Sequence, residues 1–321
     1  MKLKAEKLKM VTYGVISLIL LSAPGVLGPY GTNLLSEILI FGIFAMGLDL
    51  LMGSTGMVSL GHATFFGVGA YTAGILLTQG ISSFFLILII GVLASVMIAI
   101  PFGALVIRMS GPYFLLLTLA LGQLVHSIAW QWRSLTGGDD GLPGIPRPEI
   151  GLPWSLWSAE AFFYFILVLF ALSAFTIRII NHSAFGRALR GIRESESRMN
   201  ALGYNTWLYK YVAFVLSGSF AGFAGILFAY HNGFVSPNDL SWVTSGYVVL
   251  MVIIGGSGTL YGPCVGAAIF LLLQYVVSSY TEYWSLVMGA VFIFCVMYLR
   301  RGIWGYLIHL RKRQKPKIPA S

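Results

Sequence analysis

The feature that most restricts this chain is a succession of apolar runs, several of which approach or exceed the roughly 18–20 residues that cross a bilayer as a helix. Residues 84–107, for example, contain no charged side chain. Charged residues make up only 10% of the 321 residues and apolar types 57%, against about 25% and about 45–50% in soluble domains. Too few polar groups exist to cover a globular surface, which excludes a soluble enzyme; the same apolar excess excludes a disordered or fibrous chain. In lipid the backbone must satisfy its own hydrogen bonds, so the runs are read as helices. The 38 glycines fit close helix packing, where small residues let backbones approach. Cys264 and Cys295 both sit in apolar runs, with neither metal-ligand spacing nor a disulfide framework.

The expected fold is an all-α polytopic membrane protein of about ten spans: 11–28, 33–52, 62–80, 84–107, 111–132, 160–180, 208–230, 246–260, 263–280 and 284–299. The eighth is short and glycine-rich, so a broken or partial crossing is open there. With the N-terminus in the cytoplasm, all but Arg133 and Arg147 of the 20 basic residues fall on the inner side, as the positive-inside rule requires. An odd number of spans would violate that rule; eight would satisfy it as ten does. Both termini are therefore expected inside, with a basic segment over 1–10, the membrane-spanning body over 11–302 and a basic tail over 303–321. Lys2 to Lys9 followed by Val11 to Leu21 imitates a signal peptide, but Ser22-Ala23-Pro24-Gly25 offers no small-x-small cleavage site. A retained first span is expected.

Three polar segments punctuate the runs. Outside, Arg133 to Ala159 contains Thr136 to Pro146, dense in turn formers. Inside, Phe185, Leu189, Ile192, Met199 and Leu202 recur at helical spacing among Arg187, Arg190, Arg193, Glu194, Glu196 and Arg198. Gly203 follows as a C-terminal stop. The segment 183–206 is thus expected to hold a cytoplasmic amphipathic helix whose apolar stripe needs a partner. Two fit: the membrane surface, through arginines against anionic lipid, or a groove on a soluble protein. The glutamates among the arginines favour the groove. The tail from Arg311 to Lys317 has neither acids nor a stripe, which reads as an orientation signal and lipid contact.

Two stretches break the apolar pattern without adding charge: Gly53 to His62, and Gly255 to Pro263. Irregular backbone at membrane depth is tolerated where it is buried in protein or lines a cavity, and transporters use such breaks near solute. Tight cytoplasmic turns without solute contact are the other reading. Ionisable groups within the spans are Glu37, Asp49 and His126. The carboxylates lie near span ends and His126 suits hydrogen-bonded packing, so no proton relay is apparent. Nor does the chain contain a Gly-x-x-x-x-Gly-Lys-Ser/Thr phosphate loop. If this chain pumps, nucleotide is bound by another polypeptide, and the cytoplasmic amphipathic helix is where force would enter.

The pieces GSTGMVSLGHATFFGVGAY (53–71), SGPYFLLLTLA (110–120), TGGDDGLPGIP (136–146), SAFGRALRGIRESESRMNALGYN (183–205), GFVSPNDLSW (233–242) and GGSGTLYGPCVGA (255–267), in that order, resemble the LivM-type permease subunits of bacterial ATP-binding-cassette importers for branched-chain amino acids. The resemblance extends from about Leu34 to Gly302. It implies a segment, marked by Gly186, Arg187, Ala188, Ala201, Leu202 and Gly203, that docks on an ATPase subunit. It implies as partners a second related permease, two ATPases that bind the ATP, and a periplasmic or lipid-anchored solute-binding protein. No cofactor of its own, no catalysis and no nucleic acid are expected, and the location is the inner membrane.

On that resemblance Ser54, Thr55, Ser59 and His62 are expected near the solute path, with Gly255, Gly256 and Gly258 in the second break. Their hydroxyls and free backbone groups would solvate an amino acid's ammonium and carboxylate. Arg187, Arg190 and Arg193 would form the polar side of coupling, and Phe185, Leu189 and Ile192 its apolar side, with Gly186 in the same segment and Gly203 closing it. Asp49 stands where the family has Asn, Tyr247 where many relatives carry Glu, and Met57 where a polar residue is frequent. These departures leave the solute open to urea, short amides or other amino acids. A stand-alone carrier or channel is the alternative from another class; no nucleophile–base pair supports a membrane enzyme.

Overall fold

The computed structural model describes residues 2–148, 156–298 and 302. The basic tail 303–321 lies outside the described residues, as do Arg300 and Arg301.

The first two expected spans form one helical stretch, α1 (Lys2–Thr55), interrupted at Gly28, whose φ of 66° and ψ of 178° are not helical. Pro29 disfavours helical backbone in the residue before it, and glycine tolerates the positive φ that results. Beyond the break α1 runs through the centre of the molecule. Ile40, Ile43, Phe44, Ala45, Leu48 and Leu51 are fully buried there, as expected of a helix apolar on every side.

Eight long helices follow: α2 (His62–Thr78), α3 (Phe84–Val106), α4 (Pro112–Gln131), α6 (Ala159–His182), α9 (Thr206–Asn232), α10 (Trp242–Gly255), α11 (Gly262–Tyr280) and α12 (Trp284–Tyr298). Shorter ones are α5 (Arg133–Thr136), α7 (Ala184–Glu194) and α8 (Glu196–Ala201). The second central helix, α9, packs on α1, α2 and α3. Glycines set how close it comes. A Cβ on Gly69 of α2 would collide with the Gly222 carbonyl, and one on Gly225 with that of Phe66. Stacked Phe44 and Phe66, with ring centroids 4.9 Å apart, fill the space beside this crossing.

The outer helices turn broad apolar faces outward: Phe85, Ile89, Leu93 and Met97 on α3, and Val168, Leu172, Phe175 and Ile179 on α6. Among the described residues six stretches are long and apolar enough to cross a membrane: 22–55, 84–106, 112–131, 159–182, 206–232 and 262–280. Helix α2, at 17 residues, is at the short end for a crossing, and α10, at 14, is below it. The fold is that of an all-α polytopic membrane protein; length and composition alone do not give all ten spans. A helix wrapped in other helices meets its polar needs in protein, so it is free to be short.

At one end of α9 the turn-rich segment after α4 forms a cap. Strands β1 (Leu142–Pro143) and β2 (Phe234–Val235) pair antiparallel, Leu142 opposite Val235 and Pro143 opposite Phe234. This small sheet is a local exception to the all-helical expectation. The Ile145 N–H extends the pairing to the Gly233 carbonyl at 3.0 Å. Gly137, Gly138 and Gly141 all take positive φ, which lets so short a segment reverse direction repeatedly. At the other end of α9, Thr206 and Lys210 hold α8. Lys210 Nζ lies 2.6 Å from Glu196 Oε1, and Thr206 Oγ1 lies 2.9 Å from Asn200 Oδ1.

The expected single amphipathic helix is two helices. Ser195, at φ −164° and ψ 101°, separates α7 from α8 and caps α8 by accepting the Arg198 N–H. Gly203, at φ 87°, ends α8. Its N–H reaches the Asn200 carbonyl at 3.0 Å and the Tyr204 N–H reaches that of Met199 at 3.1 Å, the paired bonds of a Schellman ending.

Candidate functional site

The two glycine-rich breaks meet. Asp49, on the last turns of α1, is 6% exposed, and its Oδ1 accepts the Gly258 N–H at 2.8 Å. Arg193, on the last turn of α7, donates from Nη1 to the Gly53 carbonyl. A Cβ on Gly258 would stand 3.1 Å from Arg193 Nη1, and one on Gly56 would stand 3.6 Å from Arg193 Cγ. The ends of α1 and α7 and the α10–α11 turn therefore converge, and a Cβ on Gly53 would stand 2.5 Å from the Gly258 nitrogen. Gly255 and Gly256 serve the hairpin instead. A Cβ on Gly255 would collide with the Gly262 carbonyl, and the Gly256 carbonyl accepts from Thr259 Oγ1 at 2.7 Å.

Beside this junction opens a cavity of about 650 Å³ lined by Thr55 to Val58, Met109 to Leu116 except Tyr113, Ile192 to Glu196, and Lys210. Its walls are apolar at Met57, Val58, Phe114, Leu115 and Leu116 and charged at Arg193, Glu194, Glu196 and Lys210. The Met109–Leu116 wall was not among the residues expected at the path. Its local signal is Gly111 at φ 55° followed by Pro112 at the first turn of α4, a turn that swings the helix start towards the cavity.

Ser54 and Thr55 are nearly buried, at 6% and 8%, and Thr55 reaches the cavity wall. Ser59 and His62 do not; both are fully buried. Ser217 of α9 donates to the Gly47 carbonyl at 2.7 Å, so its oxygen accepts from His62 Nε2 at 2.8 Å. That assigns His62 Nδ1 as the acceptor from Ser59 Oγ at 2.7 Å. With both nitrogens partnered, His62 is a strut joining α1, α2 and α9. Ser245 of α10 accepts the Ala63 N–H at 2.9 Å and completes the start of α2. Nothing local in the sequence marks Ser217 or Ser245 as these partners.

The coupling residues divide in a way the helical periodicity does not show. Leu189 is fully buried, Ile192 is 4% exposed, and Phe185 stacks on Tyr209 at 5.6 Å. The stripe of α7 is thus spent on the molecule's own core. Gly186 is buried, and a Cβ there would lie 2.6 Å from the Asn181 carbonyl. Arg187 and Arg190 donate to the His182 and Asn181 carbonyls at 2.8 and 2.9 Å, closing the end of α6. The outward apolar groups are Leu202, 72% exposed, and Tyr204. They follow α8, because the break at Ser195 turns the second half of the predicted stripe away from the first.

Of the other notable residues, Met57 lines the cavity. Tyr247 packs between Phe270 and Trp284. His126 lies beside Trp130 on the peripheral α4, and Glu37 is half-buried on α1. Among the described residues no group of three His, Cys, Asp or Glu could hold a metal ion.

The family described as branched-chain amino acid transport system / permease component matches residues 31–296. The high-affinity branched-chain amino acid transport system permease proteins LivM of Salmonella typhimurium and of Escherichia coli K12 are each 29% identical over 287 residues. The match covers 83% of this chain and 68% of each relative. LivH of Salmonella typhimurium, a permease protein of the same description, is 25% identical over 288 residues, 83% of this chain and 91% of LivH. No solved structure matches the chain. The matched region runs from the middle of α1 into α12 and includes both glycine-rich breaks, the cap and the α7–α8 segment. The chain belongs to the family of permease components of branched-chain amino acid transport systems.

Proposed function

We propose that this chain is the LivM-type half of a two-permease pore, driven from the cytoplasm by two separate ATPases and supplied from outside by a solute-binding protein. The α7–α8 segment receives the motor, the outward face being Leu202, Tyr204 and the polar groups of α8. Leucine, isoleucine and valine are the solutes, and the cavity beside the glycine junction is the cytoplasmic end of this chain's half of the path. Thr55, the backbone at Gly56 and the apolar wall at Met57, Val58 and Leu115 would face a passing amino acid. Such weak, mixed contact suits a pore that releases what it receives. The chain crosses ten times, α1 contributing two spans, with both termini cytoplasmic.

The observation that carries this reading is the convergence of α7 with both glycine-rich breaks beside the cavity. Family membership and relatives that include both LivM and LivH support the pairing with a second permease.

The test is reconstitution in liposomes of this chain with its partner permease, the ATPases and the binding protein. ATP-dependent leucine uptake that vanishes when any one component is omitted is the expected result. Uptake by this chain alone, without ATP, would establish a stand-alone carrier instead. Uptake of urea in preference to leucine would reassign the solute.

A further inference from the structure

We infer that Arg193 is the tie through which motion of the α7–α8 segment reaches both glycine-rich breaks, so that one guanidinium links the motor's docking segment to the ends of α1 and α10. This deepens the reading of α7–α8 as the motor's docking segment and rests on it.

Backbone chemistry explains why an arginine is needed. The last carbonyls of a helix lack intrahelical donors and carry the negative end of its dipole. At the end of α1 the Gly56 N–H goes back to the Met52 carbonyl at 3.0 Å, and the Met57 N–H turns to Thr55 Oγ1 at 3.4 Å. The Gly53 carbonyl is therefore left without its helical donor, and Arg193 supplies one together with a positive charge. Asp49, one turn earlier, is a nearly buried carboxylate, a group that needs compensation. It receives the Gly258 N–H at 2.8 Å. A Cβ on Gly258 would lie 3.4 Å from the Gly53 carbonyl and 3.1 Å from Arg193. The four groups thus form a closed ring: Arg193 to Gly53, Gly53 beside Asp49, Asp49 to Gly258, and Gly258 back against Arg193.

Position gives this ring its mechanical meaning. Arg187 and Arg190 clamp the start of α7 to the end of α6. Arg193 holds the other end of α7 to α1 and the α10–α11 turn, two residues before the Ser195 break. Among the described residues no other polar side chain of α7 reaches α1. A push on α8 would turn α7 about its clamped start, and the displacement would arrive at Arg193. Because the same side chain lines the cavity, that movement reshapes the cavity wall directly. Arg193 is a positioning residue in this account; it need not touch solute.

The experiment compares the complete reconstituted complex carrying wild-type chain, Arg193→Gln, Arg193→Lys or Asp49→Asn, measuring ATP hydrolysed per leucine imported. Arg193→Gln should lower uptake at least tenfold and hydrolysis less than twofold, raising the ratio at least fivefold with subunit content unchanged. Arg193→Lys keeps a charged donor for Gly53 and should recover at least half of the coupling. Asp49→Asn keeps an acceptor for the Gly258 N–H and, asparagine being the residue expected of the family there, should leave the ratio within twofold of wild type. A wild-type ratio in Arg193→Gln overturns the inference; so do parallel losses of uptake and hydrolysis, which mark a packing residue. If Arg193→Gln fails to assemble, Arg193→Met, which keeps the aliphatic stem but no donor, takes its place, and a wild-type ratio there overturns the inference. Absence of ATP-dependent uptake in the wild-type complex would show that the motor-driven reading itself has failed, whatever Arg193 does.

Discussion

At Ser217 one hydroxyl serves two helices, donating to Gly47 on α1 and accepting from His62 on α2. Replacing it with alanine leaves the His62 N–H unpaired in a fully buried site, while the Gly47 carbonyl keeps its helical donor, a loss of about 1–3 kcal/mol. Ser217→Ala should therefore melt several degrees earlier in detergent, while uptake per folded complex stays within twofold of wild type. A tenfold loss of uptake at an unchanged melting temperature would move His62 from packing to the solute path. Asp239, in the turn Pro237–Leu240 that follows β2, offers a second residue-scale test. Burial pushes its carboxyl up from 3.8 to about 6, against the opposing pull of its bonds to the Ser236 backbone and hydroxyl; the buried Tyr71 hydroxyl, which lacks a hydrogen-bond partner among the described residues, feels its charge. A raised folded value means that the folded turn prefers the protonated acid. No penalty exists below about pH 4; it grows through pH 6 and reaches at most about 3 kcal/mol above it. Hydrogen exchange over residues 236–240 should be slowest in acid and quicken, relative to its intrinsic rate, as pH rises through 6. Asp239→Asn should flatten that dependence while keeping an acceptor for the Ser236 N–H.

At the scale of elements the instructive case is the α7–α8 pair. Since the stripe of α7 lies inside, Gly186→Asp and Leu189→Asp should abolish assembly and say nothing about docking. Leu202→Asp, on an exposed turn, should leave the amount of assembled permease pair within twofold and lower ATPase recruitment at least tenfold, read by co-purification. Full recruitment by Leu202→Asp would place the motor on another surface. Periodicity located this segment correctly and mistook its use, because a helical repeat reports that a face is buried but not against what. Seven residues separate Ile192 from Met199, and Ser195 between them carries no stronger signal than any serine, yet it divides the helix. The two glycine-rich breaks were visible as interruptions of apolar runs. Their meeting was not, since it depends on a carboxylate at Asp49 and a guanidinium at Arg193, 144 positions apart, finding backbone groups near Gly53 and Gly258. Contacts to main-chain atoms leave no mark on the partner residue's identity, beyond the absence of a side chain that would block them. Gly53 and Gly258 bear only that negative signature.

Across the whole molecule, every cytoplasmic assignment can be tested against one helix, because α9 connects the two groups of polar segments. Its first turn holds α8 through Thr206 and Lys210, and its last leads into β2 and the cap. If α9 crosses fully, the cap and the α7–α8 segment lie on opposite sides of the bilayer. The short helices then decide the count. The turn at Gln79 and Gly80 joins α2 to α3, and the turn at Thr281 to Tyr283 joins α11 to α12. Both must share the cap's side if α2, α10, α11 and α12 each cross. With Cys264 and Cys295 replaced by alanine, single cysteines at Gln79, Asp140 and Tyr283 should react with a membrane-impermeant maleimide on intact spheroplasts. Cysteines at Met109, Ser197 and Leu202 should react only after permeabilisation. Labelling of Asp140 but not Gln79 from outside would show that α2 fails to cross and reduce the span count. Labelling of Ser197 from outside would invert the whole chain, placing its arginines on the side that the positive-inside rule forbids and removing the motor's point of entry.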